Sequence, residues 1–387
     1  MLRARLPAGM ALSLAWPRVV AAGGVAAPPG RGMDEGWKGE DGMDDSDGNA
    51  GSGGIAGSDG REGGNGMGNT GGTAGEDGIA LPPGWHDDAV AWWVPWNGLR
   101  YRSDAVIGWF APEPLAEGAL SVVWLGEPVG ARARFARWLE TAAGEVASVY
   151  GRFPVPVAQV LVVFEGGDDV GFGATARGGG PGVVLYVGEA ADRALRDDWT
   201  ATHELFHLGM PLVRQADAWL SEGVTTVWTY IAMGRGGRLS AVEAFEELVA
   251  GFRRGEAWGT GRALGAESAE MRRTGAYWRV YWGGGAWALG RMVAMAAAGR
   301  RFEEVLAVWA RGNRDPGAAQ DAMALMRAAD AAVPGFGFAE SAAAALGSSG
   351  FPAWEAALGA LGVEVVGRAV RLTPAGAAAR ARVLGGE

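Results

Sequence analysis

The pattern of hydrophobic and polar positions divides the folded part of the chain into a β-rich part and a helical part. Three runs after residue 83, AVAWWVPW, LRYRSDAVIGWFA and ALSVVWLG, are rich in aromatic and β-branched residues and separated by Gly, Pro and Asn. Such runs predict short strands. Apolar residues at helical spacing then predict a helix over residues 131–153. Two further strands are predicted at VAQVLVVF and GVVLYVG, joined by a Gly-rich segment over residues 166–181.

From residue 190 the pattern is almost wholly helical to about residue 346, and Gly347 is a suitable stop. The tail predicts one more helix and a hairpin in VEVVGRAVRLTP. Strands followed by a run of helices indicate the α+β class. The tryptophans of the early strands can offer a stacking surface to sugars or peptides, but packing within a small β-layer is the more common role of such aromatic residues.

The first 82 residues differ from the rest in composition. Residues 28–82 are rich in Gly, Asp, Ser and Asn and nearly free of large apolar side chains. We predict a disordered linker there, because such a segment cannot bury enough surface to offset its ordering entropy.

Residues 1–27 start with basic residues and a short apolar run, which is typical of a signal peptide and predicts a secreted or extracytoplasmic protein. Pro17 and Arg18 interrupt this run. A misassigned start codon explains the segment equally well, and the protein would then be cytoplasmic.

Charge and composition exclude several classes of function. The net charge of −10 argues against nucleic acid as a main partner and predicts no attraction to anionic lipid. No apolar stretch after residue 30 is long enough to span a bilayer, so stable membrane insertion is not expected. The chain has no cysteine, which excludes disulfides, a thiol nucleophile and cysteine-ligated zinc. Only three histidines are present, and two of them lie in a single motif.

That motif is H-E-x-x-H, within the segment RDDWTATHELFHLGMP, which predicts a helix that Asp197 or Asp198 can cap. His203 and His207 are four residues apart, so they share a helix face and can meet one metal ion. Glu204 then lies beside the ion without binding it, where it can take a proton from water. A motif of this length also arises by chance, so a further ligand is needed to support a metal site.

A catalytic zinc site needs a third protein ligand and one open position. The segment DAWLSEGVTTVW predicts a second helix with Glu222 in its first turns. Fourteen residues separate His207 from Glu222, enough for a helix end, a loop and a reversal. A solvated glutamate is the alternative, but the apolar residues on both sides of Glu222 leave its carboxylate in need of a partner.

HELFH followed by WLSEG resembles the gluzincin metallopeptidases, the thermolysin-like superfamily. The resemblance is closest to the aminopeptidase N and glycyl aminopeptidase type, whose second helix typically reads W-L-x-E-G. Downstream, YWRVYWGGGAWALGRM resembles the Y-x-K-G segment of aminopeptidase N relatives. Tyr281 takes the Tyr place and Gly284 the Gly place, whereas Gly283 stands where the Lys usually is. The family's Tyr stabilises the tetrahedral intermediate; Tyr277 is the reserve candidate for this hydroxyl, and Tyr281 could instead be an aromatic core residue.

The resemblance covers roughly residues 130–310 and implies a thermolysin-like zincin catalytic domain over residues 129–310. Such a domain has a small mixed sheet, an active-site helix and a glutamate helix. A short β-rich segment, residues 83–128, would precede it. Residues 311–387 would form a mostly helical C-terminal region ending in a hairpin.

The resemblance also implies one Zn²⁺ per chain, bound by His203, His207 and Glu222. A zinc-bound water, activated by Glu204 as general base, would hydrolyse a peptide bond of a peptide or protein substrate. Tyr281 would donate a hydrogen bond to the oxyanion that develops.

One family motif lacks its key residue. In aminopeptidases of this type, the Glu of a G-x-M-E-N strand helps to hold the amino terminus of the substrate. The corresponding segment here, GFGATARGGGPG, offers Gly173, Ala174 and Thr175 as candidate substrate-binding residues but has no Glu. Three nearby acidic residues are candidate replacements: Glu165, Asp168 and Asp169. Arg177 can instead attract a substrate carboxylate, so exopeptidase and endopeptidase action both stay open.

Two classes of function therefore remain. The first is a zinc-dependent peptidase. The second is a non-catalytic zincin-like protein that keeps a structural metal and binds peptides or glycans through its Trp-rich strands. The intact Glu204 favours the peptidase, because a binding module has no need for a general base.

Overall fold

The computed structural model describes residues 112–128, 130–176, 180–190, 192–312 and 318–385, together with the backbone of six short strands nearer the amino terminus. These strands are β1 (Arg3–Ala4), β2 (Ala11–Trp16), β3 (Val19–Ala21), β4 (His86–Asp87), β5 (Trp92–Trp93) and β6 (Asp104–Gly108). Apart from β1–β3, the predicted signal peptide and the linker of residues 28–82 lie outside the described residues.

The chain divides into two compact units. Residues 1–5 and 23–95 make the first unit, in which β1, β5 and β4 form a three-stranded sheet. Residues 6–22 and 96–387 make the second unit, in which β2, β6 and β3 form another three-stranded sheet. All further elements described below belong to the second unit.

A five-stranded mixed sheet is the main β-layer of the second unit. Its strands are β7 (Glu113–Leu115), β8 (Leu120–Leu125), β9 (Ala158–Phe164), β10 (Val170–Ala176) and β11 (Gly182–Val187), in the order β10-β11-β9-β8-β7. The three central strands are parallel, and both edge strands are antiparallel to their neighbours. The Gly-rich segment that the pattern predicted as a connection contains edge strand β10. Its pairing with β11 outweighs the low strand propensity of its glycines.

Side chains of the central strands alternate between the two faces of this sheet, as the period of two requires. Val160 and Val162 belong to the main hydrophobic core, whereas Leu161 and Val163 belong to a smaller cluster on the other side. Helix α1 (Arg132–Tyr150) contributes to the main core, where its Phe135 meets Phe164 edge-on with ring centroids 5.0 Å apart. The helix predicted at residues 131–153 is thus present and buries its apolar face.

The predicted helical run is also present. It consists of α2 (Asp192–Asp197), α3 (Thr200–His207), α4 (Ala218–Arg235), α5 (Ala241–Ala257), α6 (Leu264–Thr274), α7 (Tyr277–Ala297), α8 (Glu303–Gly312), α9 (Ala322–Ala332) and α10 (Phe338–Gly347). After α11 (Glu355–Ala360), the predicted hairpin is formed by β12 (Val363–Val366) and β13 (Ala369–Leu372). A final helix, α12 (Ala377–Val383), was not predicted. No helix within the described residues is long and apolar enough to cross a membrane.

Asp198 fixes the start of α3. Its Oδ1 accepts a hydrogen bond from the backbone N–H of Thr200 at 3.0 Å, and its Oδ2 accepts one from Ala201 at 3.2 Å. Trp138 of α1 donates its indole N–H to the same carboxylate at 3.1 Å. These two N–H groups of the first turn have no partner within the helix, so the Asp198 carboxylate caps α3. Of the two capping residues predicted, Asp197 and Asp198, it is Asp198 that caps the helix.

A buried ion pair joins α1 to the segment that follows α4, and Thr202 of α3 bonds to both of its members. The guanidinium of Arg238 lies 2.7 Å from the Glu145 carboxylate, and both side chains are almost fully buried. Thr202 donates a hydrogen bond to Glu145 at 2.6 Å and lies 2.7 Å from Arg238. Removing one member would leave a buried charge without its partner, which is strongly destabilising. Thr202, the residue before His203, is therefore held in place by this ion pair.

Two glycines allow α4 and α7 to approach closely. A Cβ added to Gly223 would lie 2.4 Å from the carbonyl carbon of Gly284. A Cβ added to Gly284 would lie 1.9 Å from the backbone oxygen of Trp219. These distances are too short for any side chain, so the two glycines set the spacing between the helix that carries Glu222 and the helix that carries Tyr281.

Candidate metal centre

Three ligand atoms from α3 and α4 converge at one point. The Nε2 atoms of His203 and His207 are 3.1 Å apart. Glu222 Oε2 lies 3.4 Å from the first of these atoms and 3.3 Å from the second. In the part of the chain that the structure describes, no other group of three His, Asp or Glu residues is arranged to hold a metal ion. The three ligands expected from the sequence are thus brought together.

The chemistry of this donor set fits zinc. Two imidazole nitrogens and one carboxylate oxygen are a known catalytic zinc set. Both histidines are buried, and Glu222 is partly buried. Burial alone would raise the pKa of Glu222, but the charge of His207 and hydrogen bonds with both histidines outweigh it and hold that pKa well below its usual range. The Glu222 carboxylate is therefore anionic at neutral pH, as a metal ligand has to be.

Glu204 lies outside the ligand group and is held by edge strand β10. The Thr175 Oγ1 atom lies 2.7 Å from Glu204 Oε2 and 2.6 Å from the Glu204 backbone oxygen. Gly173 lets β10 pass close to α3, because a Cβ there would lie 2.7 Å from Glu204 Cγ and 2.6 Å from Thr200 Cγ2. Strand β10 therefore positions the carboxylate of Glu204, the residue that follows His203.

The ring of Tyr281 faces His203. The two rings are nearly parallel, at 15°, with centroids 6.4 Å apart. Burial raises the pKa of Tyr281 well above its usual value, and the carboxylates of Glu222 and Glu204 raise it further. The hydroxyl is thus a phenol at neutral pH and can donate a hydrogen bond. Tyr277 packs edge-on against Tyr281. The sequence offered Tyr281 and Tyr277 as candidates for the oxyanion hydroxyl. Of the two, Tyr281 is the one whose ring stacks with His203.

One solved structure has a similar fold. An aminopeptidase N family protein from Idiomarina loihiensis matches with a TM-score of 0.54 and 17% identity, over 68% of this chain and 51% of that chain. The fold is of the zincin-like peptidase type. An M1 zinc metallopeptidase from Deinococcus radiodurans matches with a TM-score of 0.42 and 17% identity, over 60% of this chain and 50% of that chain. No family model and no curated protein matches the sequence.

The chain spans about half the length of these zincin-like structures. At such low identity the likeness establishes the fold, and the chemistry of the site has to be argued from its own residues.

In this zincin-like fold, three hydroxyl groups of α4 lie next to the Nδ1 atoms of His203 and His207. The hydroxyl oxygens of Ser221 and Thr225 each lie 3.3 Å from His207 Nδ1. The Thr229 hydroxyl lies 3.5 Å from His203 Nδ1 and donates its own hydrogen to the backbone oxygen of Thr225 at 2.8 Å. When each Nδ1–H donates to a hydroxyl, Nε2 is left free to bind a metal. Sequence analysis missed these residues, although their spacing of four places them on one face of α4.

The candidate substrate-binding residues of β10 divide between the two faces of the strand. Gly173 and Thr175 contact α3, as described above. Ala174 points the other way and packs against the smaller hydrophobic cluster, so its side chain is not part of the metal centre. Its position follows from the alternation of side chains along a strand.

The acidic residues considered as replacements for the missing amine-binding Glu are all exposed: Glu165, Asp168 and Asp169. They lie just before or at the start of β10, and burial of part of the Glu165 side chain raises its pKa. None of the three forms a hydrogen bond or an ion pair with a described residue of the metal centre. Arg177 lies outside the described residues.

Proposed function

We propose that this protein is a zinc-dependent peptidase in which His203, His207 and Glu222 hold the metal. The observation that carries the proposal is the convergence of these three ligand atoms, together with a second carboxylate outside the group, that of Glu204, which follows His203 in the chain and is held by Thr175. A site with only a structural role would need no such additional carboxylate. Its presence supports hydrolysis.

Zinc in a site of this type supplies Lewis acidity, which polarises a carbonyl group and makes water more acidic. Glu204, oriented by Thr175, accepts a proton from the attacking water and then delivers it to the leaving amine. Tyr281 donates a hydrogen bond to the oxygen on which negative charge develops. Glu204 lies on α3 and Tyr281 on α7, and the Glu204 carboxylate is close enough to raise the pKa of the Tyr281 hydroxyl.

A peptide is the substrate class that best suits the strand beside the metal centre. Strand β10 is an edge strand of the five-stranded sheet, and an extended peptide can pair with such an edge through its backbone. Pairing of this kind places a peptide carbonyl beside Glu204, because Thr175 and Gly173 of the same strand contact that residue. The fold similarity to peptidases is consistent with this substrate class.

The alternative is a non-catalytic protein that keeps a structural metal and binds peptides or glycans. It rests on the Trp-rich strands. For β5 and β6 only the backbone is described, whereas in β8 the Trp124 ring stacks on Phe164 with centroids 6.0 Å apart and donates its N–H to Glu113 at 2.7 Å, which is a packing role. The hydrogen bond from Thr175 to Glu204 favours the peptidase, because it orients a carboxylate that a binding protein would not use.

The proposal is tested by metal analysis together with digestion of a mixed peptide library. We expect one zinc per chain, and hydrolysis that stops with a chelator and returns when zinc is added back. If the purified protein binds zinc and cleaves no peptide in the library, the non-catalytic alternative replaces the peptidase.

A further inference from the structure

Thr229 lies two helical turns after Glu222 on α4, so the two side chains project from the same face of the helix. The Thr229 hydroxyl oxygen lies 3.5 Å from Nδ1 of His203, the ring nitrogen on the side away from the ligand group. Both residues are buried, with exposed fractions of 0% for Thr229 and 2% for His203. One helix therefore carries a metal ligand and a polar neighbour of a second ligand.

The direction of the Thr229 hydroxyl is set by a second contact. The hydroxyl donates its hydrogen to the backbone oxygen of Thr225 at 2.8 Å, and a carbonyl oxygen can only accept. A hydroxyl has a single hydrogen, so toward His203 Nδ1 it can offer only a lone pair. Nδ1 must therefore carry the hydrogen of this contact. In a neutral imidazole, Nε2 then keeps the free lone pair that a metal needs.

Aromatic neighbours hold the plane of the His203 ring without distinguishing its atoms. Trp199 meets the ring edge-on with centroids 4.8 Å apart, and Tyr281 lies nearly parallel to it at 6.4 Å. A half-turn of the ring would keep this plane but would direct Cε1 toward Glu222 in place of Nε2. The Thr229 hydroxyl opposes the half-turn, because a carbon in the place of Nδ1 has no N–H to donate to it.

The two ligand histidines differ in how many hydroxyl groups surround Nδ1. His207 Nδ1 has two, those of Ser221 and Thr225, each at 3.3 Å. Within the described part of the chain, Thr229 is the one side chain that bonds Nδ1 of His203. A single substitution at Thr229 therefore removes this support from His203 and leaves both hydroxyl groups beside His207 in place.

We propose that Thr229 is a positioning residue of the metal centre. By accepting the Nδ1 hydrogen of His203 it fixes both the tautomer and the orientation of that ring, and it thereby raises the affinity of the centre for zinc. Groups that bond the second nitrogen of a ligand histidine act on metal affinity in this way. The inference rests on the metal site of the proposed peptidase and does not require that a peptide is cleaved.

The first experiment measures zinc affinity by competition with a chelator. Thr229→Val keeps the branched shape and removes the hydroxyl, so zinc should bind about 10–100-fold more weakly, the usual loss for such a group. Thr229→Ser keeps the hydroxyl and should recover most of the affinity. The matched control is Thr226→Val on the same helix. The Thr226 side chain is also buried, and its hydroxyl bonds no described residue, so its removal should leave zinc affinity unchanged.

The second experiment observes the ring of His203 itself. The chain has only three histidines, so nitrogen-15 labelling of histidine gives a simple NMR spectrum. In the zinc-loaded wild type and in Thr229→Ser, His203 should show a bound Nε2 and an Nδ1 hydrogen that exchanges slowly with water. In Thr229→Val this hydrogen should exchange faster. Thermal unfolding of the metal-free proteins shows whether each variant is folded.

Several results would overturn the proposal: unchanged zinc affinity in Thr229→Val, equal losses in the Val and Ser variants, or an equal loss in Thr226→Val. In the wild type alone, a His203 that binds zinc through Nδ1 would also overturn it, whatever the folding of the variants. If zinc affinity follows the expected order and no peptide is cleaved, the proposal stands and the peptidase function fails. Hydrolysis with equal zinc affinity in all four proteins would have the opposite meaning.

Discussion

At the scale of single residues, the position of the Glu204 carboxylate decides between a peptidase and a metal-binding protein without catalysis. We predict that Glu204→Gln keeps its zinc and its fold, because the amide is nearly the same size and lies outside the ligand group. It cannot accept a proton from water, so turnover should fall by about 10²–10⁴-fold. Turnover and zinc stoichiometry are measured on the same samples. Wild-type turnover in this variant would end the peptidase proposal.

The hydroxyl of Thr175 gives a second prediction, because it is the group that orients Glu204. Thr175→Val keeps the branched shape and removes the hydrogen bond, so kcat should fall roughly tenfold, in line with the value of one hydrogen bond to a charged group. Thr175→Ser keeps a hydroxyl and should recover most of the activity, with KM and zinc content little changed in both. Equal losses in the Val and Ser variants would show that Thr175 acts through packing.

Tyr281 and Tyr277 form a matched pair on α7. Tyr281→Phe should retain zinc and lower kcat by about 10²–10³-fold, the usual loss for an oxyanion donor. Tyr277→Phe removes the same atom from the neighbouring ring and should have a much smaller effect. If the two variants exchange these behaviours, Tyr277 is the donor and the assignment from the family motif is wrong.

At the scale of elements, the glycines between α4 and α7 offer a direct test of how the site is spaced. Gly284→Ala places a methyl group where only 1.9 Å is available, so the helices must separate. We expect a loss of about 1–3 kcal/mol in the free energy of unfolding, as for other overpacked sites, and weaker zinc binding. Denaturant unfolding and zinc titration measure the two effects.

The control for this prediction is Gly290→Ala, further along the same helix. No atom lies within 4 Å of a Cβ placed there, so the substitution should be neutral or should stabilise the helix slightly. Similar losses at both positions would mean that a methyl group destabilises α7 wherever it is added, and the loss at Gly284 would then not report the α4–α7 spacing.

The helices with a clear hydrophobic period were predictable from the sequence. So was the group of candidate metal ligands that α3 and α4 carry. The i, i+4 pair His203 and His207 needs only local geometry, and Glu222 follows from a second helical motif. Strand β10 was not predictable from its own residues, because a Gly-rich segment becomes a strand only through pairing with β11. The Glu145–Arg238 ion pair joins residues 93 positions apart, and no local pattern indicates it. Sequence patterns thus identified the candidate ligands that the structure brings together but not the residues that orient them.

At the scale of the whole molecule, the main hydrophobic core is built from residues between Leu115 and Val383. The acidic, Gly-rich segment of residues 28–82 has almost no apolar side chains to add to it. We therefore predict that a variant in which a short Gly-Ser linker replaces residues 28–82 keeps its thermal midpoint within about 2 °C, a shift that corresponds to roughly 1 kcal/mol for a chain of this size.

The same variant should bind one zinc per chain, because every ligand and every supporting hydroxyl lies on α3 or α4. Thermal unfolding and zinc stoichiometry are compared with those of the full chain, with and without a chelator. Metal removal should lower the midpoint equally in both proteins, because zinc stabilises only the folded state by mass action and binds far from the deleted segment in sequence. A large drop in stability on deletion, or a loss of zinc, would mean that the segment packs on the folded unit and is not a linker.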